Sequence, residues 1–156
     1  MIFSAVRKYR NVYPGDDITF DEIISNVGKG MDPESPGVFT APVSGTYSFS
    51  FSATGKFGKS DSGASLVIQV LRGTSRGDQL ELSFEEFEEF DAGIMGKDIE
   101  GINQSWMMNL AANQRGHLKI YEYSVGHILI NNGKLGYPNQ KIFAWFNGQL
   151  LNAWEA

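Results

Sequence analysis

The sequence predicts an all-β domain, a sandwich or jelly roll. Two observations carry this. Most periodic segments alternate with period two, and Gly/Pro turn signals fall between them at roughly 8–12-residue spacing. A third agrees with them: no convincing amphipathic helix of three turns is visible.

The elements follow in chain order. Residues 18–20 and 38–40 read as short strands. Tyr47, Phe49 and Phe51 alternate with Thr46, Ser48, Ser50 and Ser52, placing rings on one face of a strand and hydroxyls on the other. Residues 66–71 form a nearly continuous apolar run that ends at Arg72-Gly73. Residues 80–84 and 106–110 are further strand candidates. Leu118, Ile120, Tyr121 and Tyr123 belong to another, and residues 127–130 and 142–151 complete the set. Turns are expected at Pro14-Gly15, Pro36-Gly37, Ser44-Gly45, Arg115-Gly116, Asn132-Gly133 and Tyr137-Pro138. One segment departs from the pattern: Phe84, Phe87 and Phe90 recur every third residue with acidic pairs between them. A short helix would gather those rings, but a strand end running into an acidic surface loop is the expected form.

Composition narrows the class. At 156 residues one domain, spanning 1–156, is the default. Net charge is −5, which disfavours a nucleic-acid partner. With no cysteine there is no disulfide framework, thiolate metal site or cysteine nucleophile. No apolar run is long enough to insert across a membrane, and no secretory leader opens the sequence.

Several motifs match functional patterns without their context. Ala53-Thr54-Gly55-Lys56-Phe57-Gly58-Lys59-Ser60 satisfies a relaxed phosphate-loop pattern, but a strand follows it where a helix is needed, so a flexible inter-strand loop is expected. Gly58-Lys59-Ser60-Asp61-Ser62 fails the nucleophile-elbow pattern at its last position. His117 and His127 have no metal-ligand spacing and read as solvent or turn histidines. The carboxylates of the acidic run nominate no catalytic pair, so no enzyme is expected. Converging from separate loops, the run 85–91 would offer a calcium ion oxygen ligands; no other cofactor is suggested. Arg76, Gly77 and Asp78 form the tripeptide integrins read, in a polar, Gly-bearing stretch, although most such matches are inert loops. Asn103-Gln104-Ser105 is the only N-glycosylation sequon, and Asn103 is expected at the surface.

More specific is Gly37-Val38-Phe39-Thr40-Ala41-Pro42-Val43-Ser44-Gly45-Thr46-Tyr47-Ser48-Phe49. It resembles G-x-F-x-x-P-x-x-G-x-Y-x-F, the signature of the complement C1q globular-domain family. Phe3-Ser4-Ala5 is similar to that family's opening motif. The stretch from Ile18 to Gly28 resembles its hydrophobic strand followed by N-x-G, and Phe146-Asn147-Gly148-Gln149-Leu150-Leu151 resembles its closing motif. The chain departs from the family in places. Ala41 stands where many vertebrate members carry Cys, Met31 where Tyr is usual, and Gln149 where the closing motif has an aromatic. Gly116-His117 replaces a common Gly-Asp turn, which weakens the case for calcium there, and residues 73–103 match poorly.

The resemblance implies a jelly roll of about ten antiparallel strands, like the tumour-necrosis-factor ligands. It implies a secreted, non-enzymatic homotrimer that binds glycan, lipid or protein ligands on cell or microbial surfaces. Integrin contact through Arg76, Gly77 and Asp78 is the alternative. In such trimers inner-sheet aromatics tend to meet across the interface, which nominates Phe3, Tyr121, Tyr123, Phe143, Trp145 and Phe146. Burial within one subunit is the competing reading for each.

Overall fold

The computed structural model describes residues 1–57, 66–73, 99–132 and 141–154, and the backbone of 84–91. Among them are thirteen strands and no helix. The first four are β1 (Ile2–Arg7), β2 (Asp17–Ile18), β3 (Glu22–Val27) and β4 (Phe39–Thr40). Then follow β5 (Gly45–Lys56), β6 (Val67–Gly73), β7 (Phe84–Asp91), β8 (Ile99–Leu110) and β9 (Arg115–Ile120). The last are β10 (His127–Ile128), β11 (Asn131–Asn132), β12 (Lys141–Ile142) and β13 (Ala144–Ala153).

Two antiparallel sheets hold most of them. The six-stranded sheet runs β3-β1-β13-β5-β8, with β10 beside the far end of β5. The five-stranded sheet runs β2-β9-β6-β7, with β4 also on β9. Every pairing between strands is antiparallel, so the chain is an all-β sandwich built on alternation, as predicted.

Alternation explains the core. Along β5 the residues Tyr47, Phe49 and Phe51 are buried, while the hydroxyl residues between them lie on the other face. Along β13 the buried positions are Ala144, Phe146 and Gly148. From the second sheet Ile68, Val70, Leu118 and Ile120 close over these rings. Phe39 lies 4.6 Å from Phe49, and Phe3 meets Phe146 edge-on at 5.1 Å, centroid to centroid. A side chain at Gly148 would collide with the ring of Phe3, so this closing-motif glycine is a packing requirement.

Local chemistry fixes the turns. The Tyr47 hydroxyl donates to the Val43 carbonyl, pinning the entry to β5. After β3, the Asn26 amide donates to Met31 O at 2.8 Å and its oxygen accepts from Met31 N at 3.0 Å. That pair closes a turn in which Gly28 takes φ 82°.

Three expectations need correction. Residues 84–91 are strand β7, neither helix nor loop. Its register against β6 shifts between Val70 and Leu71, leaving one extra residue at Phe87. Such a bulge interrupts strict period-two spacing within a strand. Ala53 to Lys56 belong to β5, not to a loop, and Gly58, Lys59 and Ser60 lie outside the described residues. Strand β9 ends at Ile120; Tyr121 and Tyr123 lie in the turn that follows, closed by Ser124 N donating to Tyr121 O at 3.0 Å. Among the described residues no helix is long and apolar enough to cross a membrane.

Candidate functional site: the outward face of the six-stranded sheet

The face of the six-stranded sheet turned away from the core is the most distinctive surface. Registers align its outward residues into rows that cross five strands. One row reads Val27, Ile2, Gln149, Ser48, Met107. The next reads Ser25, Ser4, Asn147, Ser50, Ser105, and the third Glu22, Val6, Trp145, Ser52, Asn103, in which Val6 is itself covered, at 0% exposure. Val27, Ile2 and Met107 are 66%, 53% and 63% exposed.

The middle row is tied together. Ser4 Oγ donates to Asn147 Oδ1 at 2.6 Å, and Asn147 Nδ2 donates to Ser50 Oγ at 3.3 Å. These bonds hold small polar side chains flat. Beneath Ile2, Ser48 and Gln149 lies an open depression of about 360 Å³. From Thr46 to Thr54, Gly101 to Asn109 and Trp145 to Gln149, the outward positions carry no ionisable side chain. Glu22, paired with Lys8 at 2.7 Å, marks the margin. In a chain with 20% charged residues, a charge-free and partly apolar face has the composition of an interface centre.

Of the six aromatics nominated from the sequence, the structure places Trp145 on this face. Phe143 lies at its margin, with Lys8 Nζ 5.8 Å above the ring. Phe3 and Phe146 are corrected: at 1% and 0% exposure they fill the subunit's own core and show a partner nothing. The reason is parity, since each sits on the inward side of its strand. Tyr121 and Tyr123 stack edge-on at 5.5 Å in the turn beyond the other sheet, away from this face. Met107, Ile2 and Val27 carry no aromatic ring and so do not stand out in the sequence. The alternation of exposed and buried residues along β8 is the signal that finds Met107. Arg76, Gly77 and Asp78 lie outside the described residues, as do the side chains of the acidic run 85–91. Among the described residues no group of three or more His, Asp or Glu is placed to hold a metal ion.

Both histidines lie in strands, and neither is fully in solvent. His117 lies in β9 and His127 in β10, where its ring packs 5.0 Å from Tyr13. The His117 side chain is 12% exposed, with Nε2 3.1 Å from Asp17 Oδ1. Burial pushes the His117 imidazole below its ordinary value, and the attraction of Asp17 only partly offsets this. The folded protein therefore disfavours the proton that the unfolded chain accepts near pH ~6.5. Stability is whole above that pH and falls as pH drops from there through the lower folded value. We expect the melting temperature to fall between about pH 7.5 and 5.5, and to fall less in His117→Asn. Parallel pH profiles in a calorimetric melt would refute the assignment.

An antiparallel β-sandwich with a charge-free outer face on one sheet defines a jelly-roll module. The C1q domain profile matches residues 2–151, and the chain belongs to the C1q domain family. The globular domain of zebrafish complement 1qA protein is similar in fold, at 16% identity and a TM-score of 0.64, covering 97% of this chain and 98% of that one. Murine APRIL is similar at 10% identity and a TM-score of 0.58, covering 94% and 96%. The fold is thus the C1q and tumour-necrosis-factor jelly roll. No curated protein matches the chain. C1q domains are generally non-enzymatic recognition modules, are typically extracellular and typically form trimers.

Proposed function

We propose that this chain is a secreted, non-enzymatic recognition head that assembles as a homotrimer and binds glycans on cell or microbial surfaces multivalently. The observation that supports assembly is the charge-free face with Val27, Ile2 and Met107 exposed in one row. Four strands at about 4.8 Å spacing and eight residues at about 3.4 Å rise make it roughly 20 by 27 Å. Corrugated by side chains, such a face approaches the ~800 Å² each partner contributes to a standard interface.

Assembly gives the function its mechanism. With the sheet faces packed together, the loops of three subunits form one rigid head. Three weak sites on such a head raise effective affinity by about 10²–10⁴ without a new contact. The ligand class is tested on an immobilised-glycan panel. Binding to a defined glycan, with dissociation accelerated by soluble competitor, is the expected result. A head that is silent on every glycan yet retained on protein-coated surfaces would move the function to protein contacts.

A further inference from the structure

The sequon Asn103-Gln104-Ser105 lies within β8, in register with Ser52, Phe51 and Ser50 of β5. Alternation points Asn103 and Ser105 out of the sheet, and both are exposed. Asn103 ends the row that passes through Trp145 and Ser52, so it stands on the charge-free face itself. Trp145 is two strands away, about 10 Å at ordinary strand spacing.

We propose that Asn103 is an N-glycosylation site whose occupancy excludes assembly through this face. In the reaction Asn103 Nδ2 bonds to the anomeric carbon of a polyprenyl-diphosphate-linked oligosaccharide. The bond from that carbon to the diphosphate breaks, the diphosphate leaves, and the amide proton passes to the transferase. The product is bulky and strongly hydrated. Rooted on the edge strand β8, it holds a second copy off Trp145 and Met107. The unmodified carboxamide is small and fits among the serines of the face. Modification thus selects between a free head and an assembled one. The exclusion rests on the homotrimer reading; occupancy of Asn103 does not.

The test uses the full chain secreted from a eukaryotic host, beside Asn103→Gln and Ser105→Ala. Intact mass is measured before and after an amidase that removes N-glycans, and assembly by sedimentation velocity. The expected result is a glycan on the wild type alone, whose glycosylated fraction sediments as single chains, while its unmodified fraction and both variants sediment as trimers. Absence of a glycan from the wild type overturns the site. A glycosylated wild type that still sediments as a trimer overturns the exclusion and leaves the assembly reading intact. Single chains throughout, with the mass shift confined to the wild type, overturn the assembly reading and the exclusion but keep Asn103 as the modified residue.

Discussion

Replacing Phe49 by Ala is expected to cost about 3–5 kcal/mol of folding stability. Phe49 is 1% exposed and stands at the centre of β5. Its ring lies 4.6 Å from Phe39, 5.8 Å from Trp106 and 6.0 Å from Phe146, and touches Phe3 and Tyr47 as well. Truncation removes apolar burial and leaves a cavity whose walls are rings anchored mostly on other strands, which cannot collapse into the space. Domains of this kind have only about 5–15 kcal/mol in total, so the variant should be partly unfolded near 37 °C. Ser50→Ala, one residue away on the outward face, removes a single partly buried hydrogen-bond acceptor and should cost about 1 kcal/mol. Urea unfolding checks both, through a lower midpoint at unchanged slope. A Phe49→Ala penalty below about 1 kcal/mol would mean the sheets do not pack as described.

The second large effect is on assembly. Met107→Glu should leave the subunit's own stability within about 0.5 kcal/mol, because the side chain is 63% exposed on a strand it does not support. In a homotrimer packed through this face, each copy would bring a carboxylate into contact with the apolar row of Ile2 and Val27. Desolvating such a charge without a partner costs several kcal/mol per ion. Association should weaken by at least a hundredfold, about 2.7 kcal/mol, with the circular dichroism spectrum unchanged. Sedimentation equilibrium reads the result. A variant that assembles like the wild type would clear this face of any role.

Much of the fold was legible in the sequence because alternation is local. The Tyr47, Phe49, Phe51 series gave β5 its core face directly. The sequence marks only residues 106–110 of strand β8, because Glu100, Gly101, Asn103 and Gln104 in its first half carry no apolar period on their own. Pairing with β5 along its whole length makes that half a strand. Strand β7 is hard to see in the sequence because a bulge interrupts its alternation.

The site was harder. Alternation divides a strand's residues between two faces but does not say which face a neighbouring sheet covers. That ambiguity put Phe3 and Phe146 among the interface candidates, although register places them inward. It also hid the row from Val27 to Met107, whose members lie far apart in sequence and meet only through the order β3-β1-β13-β5-β8. The turn signal at Arg115-Gly116 misleads, because both residues lie within β9. A side chain at Gly116 would meet the Phe39 ring and the Leu71 carbonyl, so this glycine serves packing and does not mark a turn.

The central claim is that the outward face of the six-stranded sheet is closed by copies of the same chain. Light scattering after size exclusion tests it most directly. For the chain free of glycan, a molar mass near three times 17.3 kDa, retained on dilution, is the predicted result. A mass of 17.3 kDa at every concentration would contradict it, and the charge-free face would then await a different partner.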